Sequence, residues 1–305
     1  MNQGLLLAVN SIAMGGLLFL LASGFSLVFG LMRIPNLTHG SFFMLGGYLG
    51  ISVLGKGPDT LSQVSLWLGV GGLPPDLAFW LAALLAAAAL AVVGGAIERL
   101  LLRRLAGQEL AQVLVTLGLS FIIADLCLMT WQGDPIPLSP PPTLRGSLPI
   151  GHVVFPIYRL ATVLIAVAVA VALWLVLDRT RLGAMIRAGV DDPVMARVSG
   201  IRVSRLFTLV FALGAGLAGF AGVIGALILS VEPGLDTDML PLALIVVILG
   251  GTGSLPGAFV GSFVVAFLEN FGQAWRPEFA YFMLFLPMLL VLLLRPQGLF
   301  GRHAP

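Results

Sequence analysis

Residues 178–205 read DRTRLGAMIRAGVDDPVMARVSGIRVSR, a long polar island in a chain that is otherwise nearly all hydrocarbon. The island holds six arginines: Arg179, Arg181, Arg187, Arg197, Arg202 and Arg205. Within it lies a complete short-helix signature, with Asp192 as N-cap, Pro193 at the first helical position, VMARVS as the body and Gly200 just past the end. A cap carboxylate accepts from the free N–H groups of the first turn, proline tolerates that turn, and glycine permits the left-handed exit. The pattern predicts a capped helix prepared for something outside a membrane. The alternative is a basic helical loop held on anionic lipid head groups, which accounts for the arginines but not for the caps.

Composition sets the class around that island. Of 305 residues, 59% are apolar and 10% charged, with a mean hydropathy of +1.06, whereas soluble domains carry about a quarter charged residues. The chain therefore reads as a single all-α domain over residues 1–305, a polytopic transmembrane helical bundle. The lone cysteine, Cys127, lies in an apolar run and has no second thiol, and nothing clusters as a metal site. No basic residue precedes Arg33, so the amino terminus lacks the n-region of a cleavable signal, and its first apolar run is expected to stay as a span.

Runs able to cross a hydrocarbon layer of about 30 Å lie near 10–30, 34–54, 78–97, 110–131, 160–177, 206–230 and 279–294. Two shorter runs, 239–252 and 255–271, are joined by GGTGSLPG, which reads as a tight turn or as a break in one long helix. Charge favours the turn. With the amino terminus outside, the cytoplasmic side collects Arg33, Arg99, Arg103, Arg104, the island arginines, Arg295 and Arg302, twelve of the 16 basic residues. Lys56, Arg145, Arg159 and Arg276 stay outside. That asymmetry obeys the positive-inside rule and requires a cytoplasmic carboxyl terminus, hence about eight to nine segments with 239–271 as a hairpin. One long kinked helix there would leave Arg295 and Arg302 outside.

The expected outer loops are thin. Residues 132–158, QGDPIPLSPPPTLRGSLPIGHVVFPIY, are proline-rich and read as an irregular, stiff periplasmic lid. Residues 55–76 add a short amphipathic piece, and VEPGLDTD places Glu232, Asp236 and Asp238 in a further outer loop. No outer domain is present to capture a ligand, so capture must come from another protein. Gly214, Ala218 and Gly222, with Ala215 and Gly219 beside them, form small-residue faces that let helix backbones approach, within the chain or between subunits.

Ionisable groups inside the apolar runs are few: His39, Asp125 and Glu269. Each is costly in hydrocarbon unless paired or wetted, and each is a functional candidate for that reason. Glu269 is near enough to the outer boundary to reach water. Asp125 shares its run with Thr116, Ser120 and Thr130, and either lines a polar cavity or bonds a neighbouring helix. His39 follows Asn36 and Thr38 at a helix start, whose free N–H groups lie near a cytoplasmic gate; a satisfied interfacial histidine is the plainer alternative. The only lysine is Lys56, so there is no G-x-x-x-x-G-K-[ST] loop, and neither G-x-S-x-G nor H-E-x-x-H occurs. The chain reads as a pore-like body without an ATP site or an enzyme's constellation. His39, Asp125 and Glu269 fall on different segments and do not compose a proton relay.

Three stretches carry a resemblance: GFSLVFGLMRIPNLTHGSFFMLGGYLG at 24–50, GAMIRAGVDDPVMARVSGI at 183–201 and IVVILGGTGSLPGAFVG at 245–261. In order and over nearly the whole chain, they resemble the LivH-type inner-membrane permease subunits of branched-chain amino acid ABC transporters. The resemblance implies a multi-pass protein of the bacterial inner membrane, two ATPase subunits that bind the ATP, a second related permease and a periplasmic substrate-binding protein. It implies no cofactor and no nucleic-acid partner. It also implies that the island is the ATPase-coupling element, carried by Arg187, Asp191, Asp192, Pro193, Met195, Ala196, Arg197 and Gly200. Asn36, His39, Thr116 and Asp125 are the residues expected along the translocation pathway. A path lined by apolar side chains and scattered hydroxyls suits a small zwitterion such as leucine, isoleucine or valine; related permeases are thought to pass urea or short amides. A stand-alone secondary carrier or channel is the reading from another class.

Overall fold

In lipid each backbone N–H must find its carbonyl within its own segment, so the long apolar runs fold as helices. The computed structural model describes residues 2–32, 36–56, 68–150, 153–295 and 297–301. Arg33, Arg302 and most of the amphipathic piece expected within 55–76 lie outside the described residues. In chain order the helices are α1 (Asn2–Met32), α2 (Thr38–Val53), α3 (Pro75–Leu100), α4 (Glu109–Trp131) and α5 (Ile157–Arg179). Then follow α6 (Arg181–Asp191), α7 (Pro193–Val198), α8 (Val203–Gly225), α9 (Leu235–Gly250), α10 (Leu255–Trp275) and α11 (Ala280–Leu294). Among the described residues, seven helical stretches are long and apolar enough to cross a membrane; they fall on α1, α3, α4, α5, α8, α10 and α11.

The two short helices α2 and α9 have 16 residues each, about 24 Å at 1.5 Å per residue, which is less than a hydrocarbon core. Side-chain contacts fix where they lie. Thr38 donates to Thr116 O at 2.9 Å and Ser41 to Ser120 O at 3.4 Å, while at the far end the Trp131 indole donates to Ser52 at 2.8 Å and stacks on Tyr48. α2 therefore runs beside the second part of α4 and starts well inside the bundle. The first turn of α9 packs on the first turn of α2, where a Cβ on Gly40 would come within 2.6 Å of Asp236 O. From that point α9 runs the opposite way, to the turn at 251–254, where Gly253 lies against Gly30 near the end of α1.

Residues 251–254 are a turn and not a kink. Gly250 faces Gly257, and Gly261 faces Val246, a register that makes α9 and α10 an antiparallel hairpin. Ser254 accepts from Gly257 N at 3.1 Å and caps α10. The structure shifts three sequence expectations. The run at 206–230 ends its helix at Gly225, and α9 begins at Leu235, ahead of the expected 239, so that Asp236 is buried and not in an outer loop. The proline-rich stretch is not wholly irregular: β1 (Ser147–Ile150) and β2 (Val153–Pro156) pair antiparallel with Leu148 opposite Phe155, and Ile136 bridges to Val231. Prolines at the strand ends and in the leading segment masked that hairpin.

α8 is the helix on which α1, α2 and α3 all pack. Its small residues allow backbone contact: a Cβ on Gly24 of α1 would lie 2.6 Å from Gly214 O, and one on Gly222 would overlap Phe43 O of α2. By contrast, Gly118 of α4 has open space around it. Gly222→Val is accordingly expected to destabilise the folded bundle by about 1–3 kcal/mol or more through overpacking, whereas Gly118→Ala should be tolerated. Thermal unfolding of the two variants in detergent checks this, and equal midpoints would contradict the packing described.

Candidate functional site

The capped helix forms as its residues dictate. The Asp192 carboxylate accepts from Val194 N and Met195 N, both at 2.9 Å. At the other end Gly200 takes φ +84°, Gly200 N donates to Arg197 O at 3.0 Å and Ile201 N to Ala196 O at 3.0 Å. This is the paired bonding of a glycine-terminated helix, and glycine is what makes its left-handed residue inexpensive. Ala196 turns inward at 4% exposure, while Val194, Met195 and Val198 stand 65%, 62% and 78% exposed. Asp191, Asp192 and Arg197 are exposed as well. α7 thus presents an apolar face with charged margins, held on a helix whose both ends are tied.

Its flanks are braced. Thr180 caps α6 by accepting from Gly183 N at 3.4 Å. Arg187 donates to Leu177 O and pairs with Asp178 at 3.3 Å, so it folds back on the end of α5 and does not stand free with α7. Gly183 sits directly against Leu177 O, and Gly189 against Leu206 of α8. Nearby, Glu98 at the end of α3 is buried, accepts from Arg103 at 3.1 Å and from Thr208 of α8 at 2.5 Å, and Arg103 also donates to Ser204 O at 2.9 Å.

The four residues expected along a pathway do not form one lining. Asn36 and Thr116 share a small cleft with Val28, Met32, Gln112 and Phe211. Asn36 accepts from Thr38 N at 3.2 Å and closes the start of α2. His39 is fully buried one residue on, with Nε2 donating to Leu21 O at 3.0 Å. It is neither at a boundary nor in the cleft. Asp125 lies apart, on the open face of α4 with Phe121 and Met129 exposed beside it, and neither lines that cleft nor is seen bonding a neighbouring helix. At the opposite end of the bundle from α7, a cavity of about 230 Å³ opens between α2, α3 and the proline-rich loop, lined among others by Val53, Phe79, Leu138 and Arg145. Among the described residues, no three His, Cys, Asp or Glu side chains group as metal ligands.

Residues 7–292 match the family described as branched-chain amino acid transport system / permease component. The chain belongs to that family. With its long apolar helices, this permease is a multi-pass membrane protein. It is 29% identical to the high-affinity branched-chain amino acid transport system permease protein BraD of Pseudomonas aeruginosa, over 96% of this chain and 94% of the relative. It is 26% identical to the corresponding protein LivH of Escherichia coli over the same shares, and 28% identical to the ribose import permease protein RbsC of Escherichia coli over 86% of this chain and 74% of that one. No solved structure matches the permease significantly.

Two buried acids escaped the sequence reading of this permease, Glu98 and Asp236. Glu98 stands among arginines at a helix end, where its sequence neighbours give no sign of burial; Asp236 is preceded by Pro233 and Gly234, which read as a loop. The cap is the part that sequence and structure state alike. Asp192→Ala should weaken it by about 0.5–2 kcal/mol, seen as faster amide exchange across residues 193–199, with Asp191→Ala as the control. Equal exchange in the two variants would contradict the cap's role.

Proposed function

We propose that this chain is the transmembrane permease subunit of an ABC importer for branched-chain, hydrophobic amino acids in the bacterial inner membrane. Two separate subunits bind and hydrolyse ATP, a second related permease completes the pore, and a periplasmic binding protein delivers the solute. The single observation that carries this reading is α7: a six-residue helix, tied at both ends, that exposes Val194, Met195 and Val198 outside the bundle. Three apolar side chains on so short a helix are a poor match for water and a good match for a cleft on a partner protein. Family membership and the names of the branched-chain relatives support the solute class.

In this reading Asp191, Asp192, Pro193, Met195, Ala196, Arg197 and Gly200 make the coupling element, with different tasks. Met195 meets the ATPase beside Val194 and Val198, Asp192 and Gly200 hold the helix ends, and Ala196 seats the helix on the bundle. Arg187 acts as a brace to α5 more than as a docking charge. The orientation follows from charge: Arg99, Arg103, Arg104, the island arginines and Arg295 belong to the cytoplasmic end, with the amino terminus outside and nine membrane segments, of which α2 and α9 are partial. The open face of α4 supports the second permease. A carboxylate at Asp125, less than two turns from the end of an exposed apolar helix, is costly against lipid and belongs against protein or in a wetted path between two subunits.

Met195→Asp and Val198→Asp should abolish co-purification of the ATPase subunits and lower ATP-driven leucine uptake by reconstituted complex more than tenfold. Arg187→Glu should weaken both to a lesser degree, through loss of the brace. Retained ATPase binding in the Val198→Asp complex, or solute transport by the purified chain without ATPases, would overturn the reading.

A further inference from the structure

Asp236 is 6% exposed, and its two oxygens are treated differently. Ser41 donates to Oδ2 at 2.9 Å, while Oδ1 is buried with no hydrogen-bond partner among the described residues. Its depth can be read from Ser41, whose hydroxyl also lies 3.4 Å from the carbonyl of Ser120, sharing its one proton between the two acceptors. Ser120 is the middle residue of α4, Glu109–Trp131, a helix that itself spans the bundle. Asp236 therefore lies near the midplane, and it lies where two helices begin. It is in the first turn of α9, it packs on the first turn of α2, and the two helices run apart from that point.

Helix starts carry free N–H groups and partial positive charge, which favour an ionised carboxylate. Discontinuous helices meeting at the midplane are how membrane carriers place such fields around a solute. Here the place is already occupied by the protein's own carboxyl group. The ion pairs Glu98–Arg103 and Asp178–Arg187 lie at the α7 end of the bundle, and the partner that Asp236 does have is a neutral hydroxyl. A carboxyl group near the middle of the bilayer, with one acceptor oxygen left open and no cationic hydrogen-bond partner among the described residues, suits a passing cationic group.

We propose that Asp236 Oδ1 is the midpoint acceptor for the α-ammonium group of the translocated amino acid. Ser41 holds Oδ2 while the first turns of α2 and α9 are together, and when those turns part the solute's ammonium group takes over at the carboxylate through Oδ1. The proposal rests on the reading of the permease as an importer of zwitterions and names the contact that would favour them over ribose-like neutral solutes.

The test uses the complete transporter, with permease pair, ATPases and binding protein, in proteoliposomes. Leucine uptake by the wild type examines the importer reading alone, and its absence would overturn that reading and this proposal with it. Given uptake, Asp236→Asn should lower leucine carried per ATP hydrolysed at least tenfold, and Asp236→Glu should recover most of it. An Asn variant that transports like the wild type, or a Glu variant as defective as the Asn one, overturns the assignment. A second measurement needs no variant. Leucine and isobutylamine should slow the labelling of Asp236 by dicyclohexylcarbodiimide in the intact complex, and 4-methylpentanoate should not; equal protection by the acid overturns the ammonium contact.

Discussion

The close approach of helix backbones along α8 is the constraint on which the rest of this structure depends. Lipid tails are as apolar as leucine, so burial alone gives transmembrane helices little reason to associate; close van der Waals contact and interhelical hydrogen bonds do the holding. Gly214 meets Gly24 of α1, Gly219 meets Gly46 of α2, Gly222 meets Phe43 O, and Ala215 fills the place left by Gly94 of α3. Each contact lacks a side chain on at least one side. Three helices are thereby gathered on one, and the gathered set is what leaves space for a helix as short as α2 to be buried at both ends.

Two partial helices are tolerable inside a membrane only because protein surrounds their starts. The buried polar residues concentrate where those starts are. Asn36 and Thr38 close the beginning of α2, Thr116 and Ser120 lend carbonyls from α4, and Ser41 reaches from α2 to Asp236. These groups satisfy one another in pairs, which fixes the two helices in register. Oδ1 of Asp236, Nδ1 of His39 and the Ser26 and Tyr48 hydroxyls remain unpaired on α1, α2 or α9 among the described residues, as do Oε2 of Glu269 on α10 and Nε of Arg103 just past α3. The polar groups at the starts of α2 and α9 are therefore those that broken helices require, beside others such as Thr162 and Ser262 on the long helices.

What sequence could disclose followed the range of the forces involved. The α7 cap is local chemistry within nine residues, so Asp192, Pro193 and Gly200 announced it and the bonding agrees atom for atom. Long helices were legible because hydropathy over some twenty residues is a strong signal. The small-residue face of α8 was legible as a face, but its partners were not, since Gly24, Phe43 and Leu90 are far away in sequence. Depth was the systematic blind spot. An acid after Pro233 and Gly234 reads as aqueous, yet the chain re-enters the bundle there, and only the long-range contact with Ser41 reveals it. The same applied to Glu98, whose burial depends on Thr208 more than a hundred residues on, and to His39, whose acceptor is a carbonyl of α1.

The placement of α7 relative to α8 has a mechanical consequence. Force applied to a short helix moves what it is rigidly joined to, and α7 is joined on two sides of unequal character. Toward α5 the link runs through α6, tied by Arg187 to Leu177 and Asp178 and by the close seat of Gly183 on Leu177. Toward α8 it runs through the glycine exit, with Ala196 seated inward and Gly189 on Leu206. α5 packs on α1 alone among the long helices to any extent, with Gly16 against Val163 and Thr162 and Arg159 donating to Asn10, whereas α8 is packed into α1, α2 and α3. In the proposed coupling, a push at α7 would act on α1 through α5 and on α1, α2 and α3 through α8, so both links lead to the same glycine-packed body. The start of α9 lies outside that body, held to it by the Ser41 hydroxyl and the contact at Gly40. The joint between α2 and α9, with the Asp236 carboxylate in it, is where such a motion would open the bundle first.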